Sequence, residues 1–389
     1  MKYSVIDISS SSISMTVAEV SERVTEIIFK DRASLTLLHY LDGRKLSERG
    51  IEKLVEAVAV MKDKCVSLSV DVLYLIATAA LRAIENFEEV GEVILRETGV
   101  PVNLIDGKTE AYCDVIANRF FSSYERAVLV DIGGASIEIC DLAGESPEDM
   151  LSLDFGILNI HNKFVEKIQP DESEAQEIKK YLARKFDKAG VPEKGRYSTV
   201  VLVGATNLAL YDVYAEYVGA KGEESPREMA YKKFKKLVKH LLCGANRSKL
   251  ILDVAPEKLY SVGVAAIVAK AVFKRFGADN LLVSDRGVKE GYLQLVFDGK
   301  QQGACYDFAK GGSFEILQTN EDAPSKAAKK PAKKSGSAAA GKGKTAAAKN
   351  TKSAKSAGRA AQNASASAKS GKNTAAKKSA ASKNTAAEK

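Results

Sequence analysis

Val5-Ile6-Asp7-Ile8-Ser9-Ser10-Ser11-Ser12-Ile13 and Leu129-Val130-Asp131-Ile132-Gly133-Gly134-Ala135-Ser136-Ile137 share one form. Each is an apolar strand that reaches an Asp near its end, turns through very small residues and begins a second strand. Such turns let successive backbone N–H groups face phosphate oxygens, and a strand-end Asp can hold a metal ion. A third turn, Val203-Gly204-Ala205-Thr206-Asn207, closes a strand and opens a helix, where free N–H groups favour an anion. Asp7 and Asp131 equally suit ordinary strand-end turns, and the serine run suits a plain hairpin.

Outward from the two repeats, the same order of elements recurs. Strands are expected over 3–8, 13–20 and 24–30, followed by a helix capped by Ser47 with Ile51, Leu54, Val55, Val58 and Met61 on one face. A buried strand over 72–78 leads into a helix to about Arg96. Gly99-Val100-Pro101 breaks it before a strand over 102–105. A helix from about Thr109 places Tyr112, Val115, Ile116 and Phe120 on one face. The second copy runs through strands at 127–132, 136–141 and 150–154, a helix at 172–188 and a strand at 199–204. Ser225-Pro226-Arg227-Glu228 has the form of a capping box introducing a helix; another helix spans 263–276, and a strand at 281–284 precedes a last helix from Val288. Two βββαβα halves predict an α/β protein of two duplicated domains, residues 1–123 and 124–304, with a cleft between them.

The formal net charge of +8 conceals two unlike regions. Residues 325–389 hold 17 Lys and Arg against a single acid, Glu388, whereas the preceding 324 residues carry 41 basic and 49 acidic side chains. The basic isoelectric point therefore belongs to the tail, and it does not support a basic nucleic-acid-binding core. With no aromatic residue and no Val, Ile or Leu, the tail cannot offset its chain entropy by burial, so disorder is expected over 320–389. No apolar run approaches a membrane span, and the opening Met-Lys-Tyr-Ser-Val-Ile-Asp meets an acid where a signal peptide needs its apolar centre. Five scattered cysteines suit a reduced, cytoplasmic protein, and neither they nor the three histidines are spaced for a zinc centre.

Several separate blocks, in order over roughly residues 2–298, resemble the exopolyphosphatase / guanosine pentaphosphate phosphohydrolase (Ppx/GppA) family, within the actin-like ATPase superfamily. The family's Asp-x-Gly-Ser-Asn-Ser stands here as Asp7-Ile8-Ser9-Ser10-Ser11-Ser12, and its Ala-Thr-x-Ala-x-Arg as Ala77-Thr78-Ala79-Ala80-Leu81-Arg82. Ile105-Asp106-Gly107-Lys108-Thr109-Glu110-Ala111 is similar to its Ile-Ser-Gly-x-Glu-Glu-Ala, and Asp131 to Glu138 to its Asp-Ile-Gly-Gly-Gly-Ser-Thr-Glu. Leu153-Asp154-Phe155-Gly156 and Ser284 to Gly291 resemble two later signatures.

That resemblance implies two duplicated RNase H-like (actin-like ATPase) domains around an interdomain cleft, and it implies roles. Glu110 matches the catalytic glutamate that activates water, and Arg82 a phosphate-binding arginine. Asp131 and Glu138, with Asp7, match acids associated with Mg²⁺. Ser9, Ser10, Ser11 and Ser12, then Gly133, Gly134, Ala135 and Ser136, then Gly204, Ala205 and Thr206 supply the phosphate-facing turns. The implied substrate is inorganic polyphosphate or guanosine pentaphosphate, which present the same terminal group; oligomeric state, a homodimer included, stays open. Ser9, Ser11, Ala135, Ile137 and Ala205 depart from the family's residues, and at Ser9, Ala135 and Ala205 a glycine is replaced where φ can be positive. A second class is therefore kept beside the hydrolase: a catalytically weakened protein that binds polyphosphate or a nucleotide. An ATP-using kinase is disfavoured because the Glu110 block resembles the phosphatases.

The tail's charge of +16 suits non-specific binding of polyanions or nucleic acid. As a coil its 65 residues span on the order of 45 Å. Deletion after Pro324 is expected to leave turnover at saturating substrate unchanged and to weaken low-salt affinity for long polyphosphate or DNA. Equal low-salt affinities of the two forms for long polyanions would remove this role.

Overall fold

Both faces of β1 (Lys2–Ile8) are buried, which is why Val5 to Ile8 is so nearly apolar: Ile6 and Ile8 enter one core and Val5 another. The computed structural model describes residues 1–21, 25–220 and 226–314; the tail expected to be disordered and Ser225 lie outside them. β1 runs antiparallel to β2 (Ser12–Val20), which pairs with β3 (Thr25–Ser34). A small hairpin of β4 (Leu41–Asp42) and β5 (Lys45–Leu46) precedes α1 (Glu48–Ser67), whose N-terminus is capped by Ser47 Oγ accepting from Gly50 N at 3.3 Å. β6 (Val72–Ala77) returns parallel to β1.

Two helices, α2 (Ala79–Arg82) and α3 (Phe87–Thr98), replace the single helix expected to about Arg96. The break is tied to β5: Asn86 accepts from Leu46 N at 2.9 Å and donates to Leu46 O at 3.1 Å. β7 (Val102–Leu104) then lies parallel to β6. α4 (Gly107–Ala117) starts two residues earlier than its periodicity indicates, because Asp106 Oδ1 accepts from Thr109 N at 2.7 Å. Phe120 falls past its end in a 3₁₀ turn and is 53% exposed, so it does not join the apolar face expected for it.

The second sheet opens with the antiparallel strands β8 (Ala127–Ile132), β9 (Ile137–Asp141) and β10 (Leu151–Leu153). α5 (Ile157–Phe164), absent from the sequence-based expectation, and α6 (Glu172–Lys188) precede β11 (Thr199–Val203), parallel to β8, and α7 (Ala205–Val218). The capping-box expectation is overturned. Arg227 and Glu228 form β12 against β13 (Asn280–Val283), and α8 (Tyr231–Cys243) begins only at Tyr231. Pairing with an open sheet edge, reinforced by Arg227 facing Asp285 at 3.5 Å, outweighs the local helix signal. α9 (Arg247–Val254), α10 (Val262–Phe276) and α11 (Val288–Phe297) complete the helices. The chain then returns to the first sheet: β14 (Cys305–Asp307) pairs antiparallel with β6 and with β15 (Gly312–Phe314).

The orders β3-β2-β1-β6-β7 and β10-β9-β8-β11-β13 correspond strand for strand. α1 and α3 cover the outer face of the first sheet, and α5 to α10 that of the second. Between the sheets lie α4, through Ala111, Tyr112 and Val115, and α11, through Tyr292, Leu293 and Leu295. Four cysteines are buried and Cys243 is exposed. Among the described residues no helix is long and apolar enough to cross a membrane.

α4 and α11 cross at Gly291, where a Cβ would overlap the carbonyl of Cys113. Neither backbone can yield without lifting its helix from the shared core. Gly291→Ala is expected to cost about 1–3 kcal/mol or more and to lower the Tm by at least about 3 °C. An unchanged melting curve would show that the crossing has room to spare.

Candidate active site

The carboxyl ends of the parallel strands β1, β6, β8 and β11 open onto one cleft of about 440 Å³, the position at which open α/β sheets receive ligands. Asp7, Glu110, Asp131 and all three small-residue turns line it. The first two turns are closed alike, by Ser9 N to Ser12 O at 2.9 Å and by Gly133 N to Ser136 O at 3.0 Å. Ser9 Oγ also donates to Ser12 O at 2.9 Å. Arg82 and Glu138, paired with these residues in the sequence, do not line the cleft themselves.

Arg82 reaches the site through Glu110. Its Nη1 donates to Glu110 Oε2 at 2.6 Å and to Ile105 O at 2.9 Å, so the base of the cleft holds an ion pair at the first turn of α4. Burial pushes the Glu110 carboxyl up to about 7; Arg82 opposes the rise and Asp7 adds to it. Asp131 and Glu138 are directly opposite each other on β8 and β9. Burial, then the charge of Glu110, raises Asp131 to about 7, and burial with Glu110 and Asp131 raises Glu138 well above the carboxylate range. Glu138 Oε1 accepts from Ser152 Oγ at 2.9 Å, but Glu138 Oε2 and Asp131 Oδ1 are buried without a donor. Asp7 is also raised by burial, with Lys289 and Arg32 opposing, and Thr78 Oγ1 donates to it at 3.5 Å.

Among the described residues no three His, Cys, Asp or Glu side chains form a ready metal-binding group. Mg²⁺ does not require one, since it keeps several waters and binds through one or two carboxylates and substrate phosphates. The donor-free Oδ1 of Asp131, beside the Gly204 turn, fits that ion.

The profile of the Ppx/GppA phosphatase family matches residues 16–297. The chain belongs to that family. Exopolyphosphatase 1 of Mycobacterium leprae is 22% identical over 313 residues, covering 78% of this chain and 92% of that protein. An exopolyphosphatase from Cytophaga hutchinsonii has the same fold, with a TM-score of 0.69 at 17% identity over 77% of this chain and 99% of its own. The Ppx/GppA family member of Aquifex aeolicus is 25% identical, with a TM-score of 0.64 over 77% of this chain and 99% of its own.

The family match begins after the serine turn. Its departures do not strain the backbone. Among the described residues the non-glycine positions with positive φ are Ser69 and Arg126, neither at the cleft, so Ser9, Ser11, Ala135 and Ala205 sit in ordinary conformations. Gly204 is different: its φ is 101° and a Cβ there would strike Asp131 Oδ1.

Sequence reasoning missed several charged side chains of the cleft, basic and acidic. Lys30, Arg32 and Lys289 line the cleft. Lys289 Nζ donates to Ser14 Oγ at 3.0 Å, and Lys30 Nζ lies 3.0 Å from Glu290 Oε1. Lys258 is buried near Arg32, and burial brings its ammonium down to about 8. Among the acids, Asp114 is fully buried and lies one turn beyond Glu110 on α4; the four-residue spacing was its only signal.

A carboxyl whose folded pKa lies above its unfolded value destabilises the fold once pH rises through that range. Asp131→Asn in metal-free buffer is therefore expected to stabilise the protein by roughly 1–3 kcal/mol at pH 8, with the gain shrinking as pH falls below 7 toward 4. Thermal melts across this range decide it. A lower Tm at pH 8 would mean that the Asp131 charge is compensated.

Proposed function

We propose that the protein releases the terminal phosphate of inorganic polyphosphate by attack of water, with guanosine pentaphosphate as the other candidate substrate. The curated relatives named exopolyphosphatase favour polyphosphate. One observation carries the chemistry: Glu110 is a buried carboxylate in the cleft with a pKa of about 7, close to the working range of a general base.

In this proposal the three turns grip the terminal phosphoryl oxygens through backbone N–H groups and the hydroxyls of Ser10, Ser12, Ser136 and Thr206. Glu110 Oε1 or Oε2 takes the proton of a water that attacks the terminal phosphorus. The new P–O bond forms as the bridging P–O bond breaks, and the shortened chain leaves with the bridging oxygen. Arg82 holds Glu110 in place through its guanidinium. Lys289, Arg32 and Lys30 offset substrate charge along the cleft. Bound Mg²⁺, held by Asp131 with Asp7 and Glu138 nearby, would neutralise charge on the phosphate oxygens.

Glu110→Gln is expected to lower phosphate release by ~10²–10⁴-fold while polyphosphate binding survives. A variant keeping more than about a tenth of wild-type turnover would remove Glu110 from this role. Because the carboxylate is the active form, kcat/KM should fall about tenfold per pH unit below 7 and level off above it. A flat profile from pH 5.5 to 8 would place the base elsewhere. Polyphosphate binding by the wild-type protein with no phosphate release, with or without Mg²⁺, would favour the binding protein instead.

A further inference from the structure

We propose that Asp114 is a ligand of the divalent cation, paired with Asp131 at the floor of the cleft; this rests on the metal-dependent hydrolase just described. Asp114 is fully buried yet lines the cleft, and neither of its carboxylate oxygens has a hydrogen-bond donor. A structural acid in such a place normally accepts from backbone or hydroxyl groups, because a bare buried carboxylate is costly. Asp131 lies within hydrogen-bonding reach, but two carboxylates hold no donor between them unless one carries a proton. Asp131 Oδ1 is donor-free as well. A hard cation satisfies both groups at once, and two carboxylates with water and phosphate are the set that Mg²⁺ accepts.

The backbone beside both carboxylates is glycine, so no Cβ stands against them there. A Cβ on Gly287 would stand 3.6 Å from Asp114 Oδ1, and a Cβ on Gly204 would collide with Asp131 Oδ1. Glycine thus occurs at both turns next to these carboxylates. Glu138 is a poorer partner for Asp131: it does not line the cleft, and Ser152 already donates to one of its oxygens. On α4 the spacing of Glu110 and Asp114 puts base and ligand on one face of one helix, a turn apart.

Mn²⁺ serves as the probe. The full chain, stripped with EDTA and dialysed, is titrated with Mn²⁺ while free ion is read by electron paramagnetic resonance, alone and with saturating orthophosphate. Wild type is expected to bind Mn²⁺, and Asp114→Asn and Asp114→Ser each to bind it ~10–100-fold more weakly. Thermal melts in EDTA identify the folded variants, which should be no less stable than wild type once a buried charge is gone. Affinities within threefold of wild type in both folded variants would overturn the inference and leave Asp114 sharing a proton with Asp131. If Asp131→Asn alone loses Mn²⁺, the inference fails while the metal-dependent reading stands. If wild type takes up no Mn²⁺ under either condition, both fail together.

Discussion

The contact of Gly291 with the carbonyl of Cys113 sets how closely α11 can approach α4, and much of the cleft follows from that distance. These two helices form the layer shared by both sheets, each burying side chains against strands from either side. α4 carries Glu110 and Asp114 to the carboxyl ends of the strands. α11 carries Lys289 and Glu290, which meet Ser14, Thr16 and Lys30 of the first sheet. A Cβ at the crossing would separate the helices and move base, acids and basic side chains relative to one another. In a close-packed interior such a shift is not absorbed locally.

The cleft concentrates negative charge before any substrate arrives. Burial raises Glu110, Asp114 and Asp131; the charge of Asp7 adds to it at Glu110, that of Glu110 at Asp131, and those of Asp131 and Glu110 at Asp114. The ion pair of Arg82 with Glu110 offsets part of this. The arrangement is costly in the empty protein and suits a site that receives a cation together with a polyanion. In the proposed reaction, backbone N–H groups in the turns and Lys30, Arg32 and Lys289 would meet the phosphate charge, while the carboxylates would meet the metal and the proton. Placement in a phosphatase family agrees with this division of charge.

Local signals were sound where local physics governs. Ser47 caps a helix as a side-chain oxygen in front of free N–H groups does, and the Asp-small-small repeat does close two equivalent hairpins. They failed where a distant partner competed. Ser225-Pro226-Arg227-Glu228 reads as a helix start, yet an open strand edge at Leu282 and Val283 takes Arg227 and Glu228 into the sheet. The single helix after β6 is cut because Asn86 bonds the backbone of Leu46, 40 residues away.

By itself the sequence determined the alternation of strands and helices, the duplicated turn and the order of family blocks, because periodicity, capping and turn chemistry act over a few residues. Tertiary structure alone decided that β14 returns to pair with β6, that Phe120 is exposed, and that Arg82 grips Glu110 rather than lining the cleft. It also decided which acids meet. Nothing local marks Asp114 off from other helical acids until α4 is packed between the sheets and its carboxylate is left beside Asp131 with no donor. Burial and neighbouring charge are properties of the assembled layers, and they turn an ordinary aspartate into a candidate ligand.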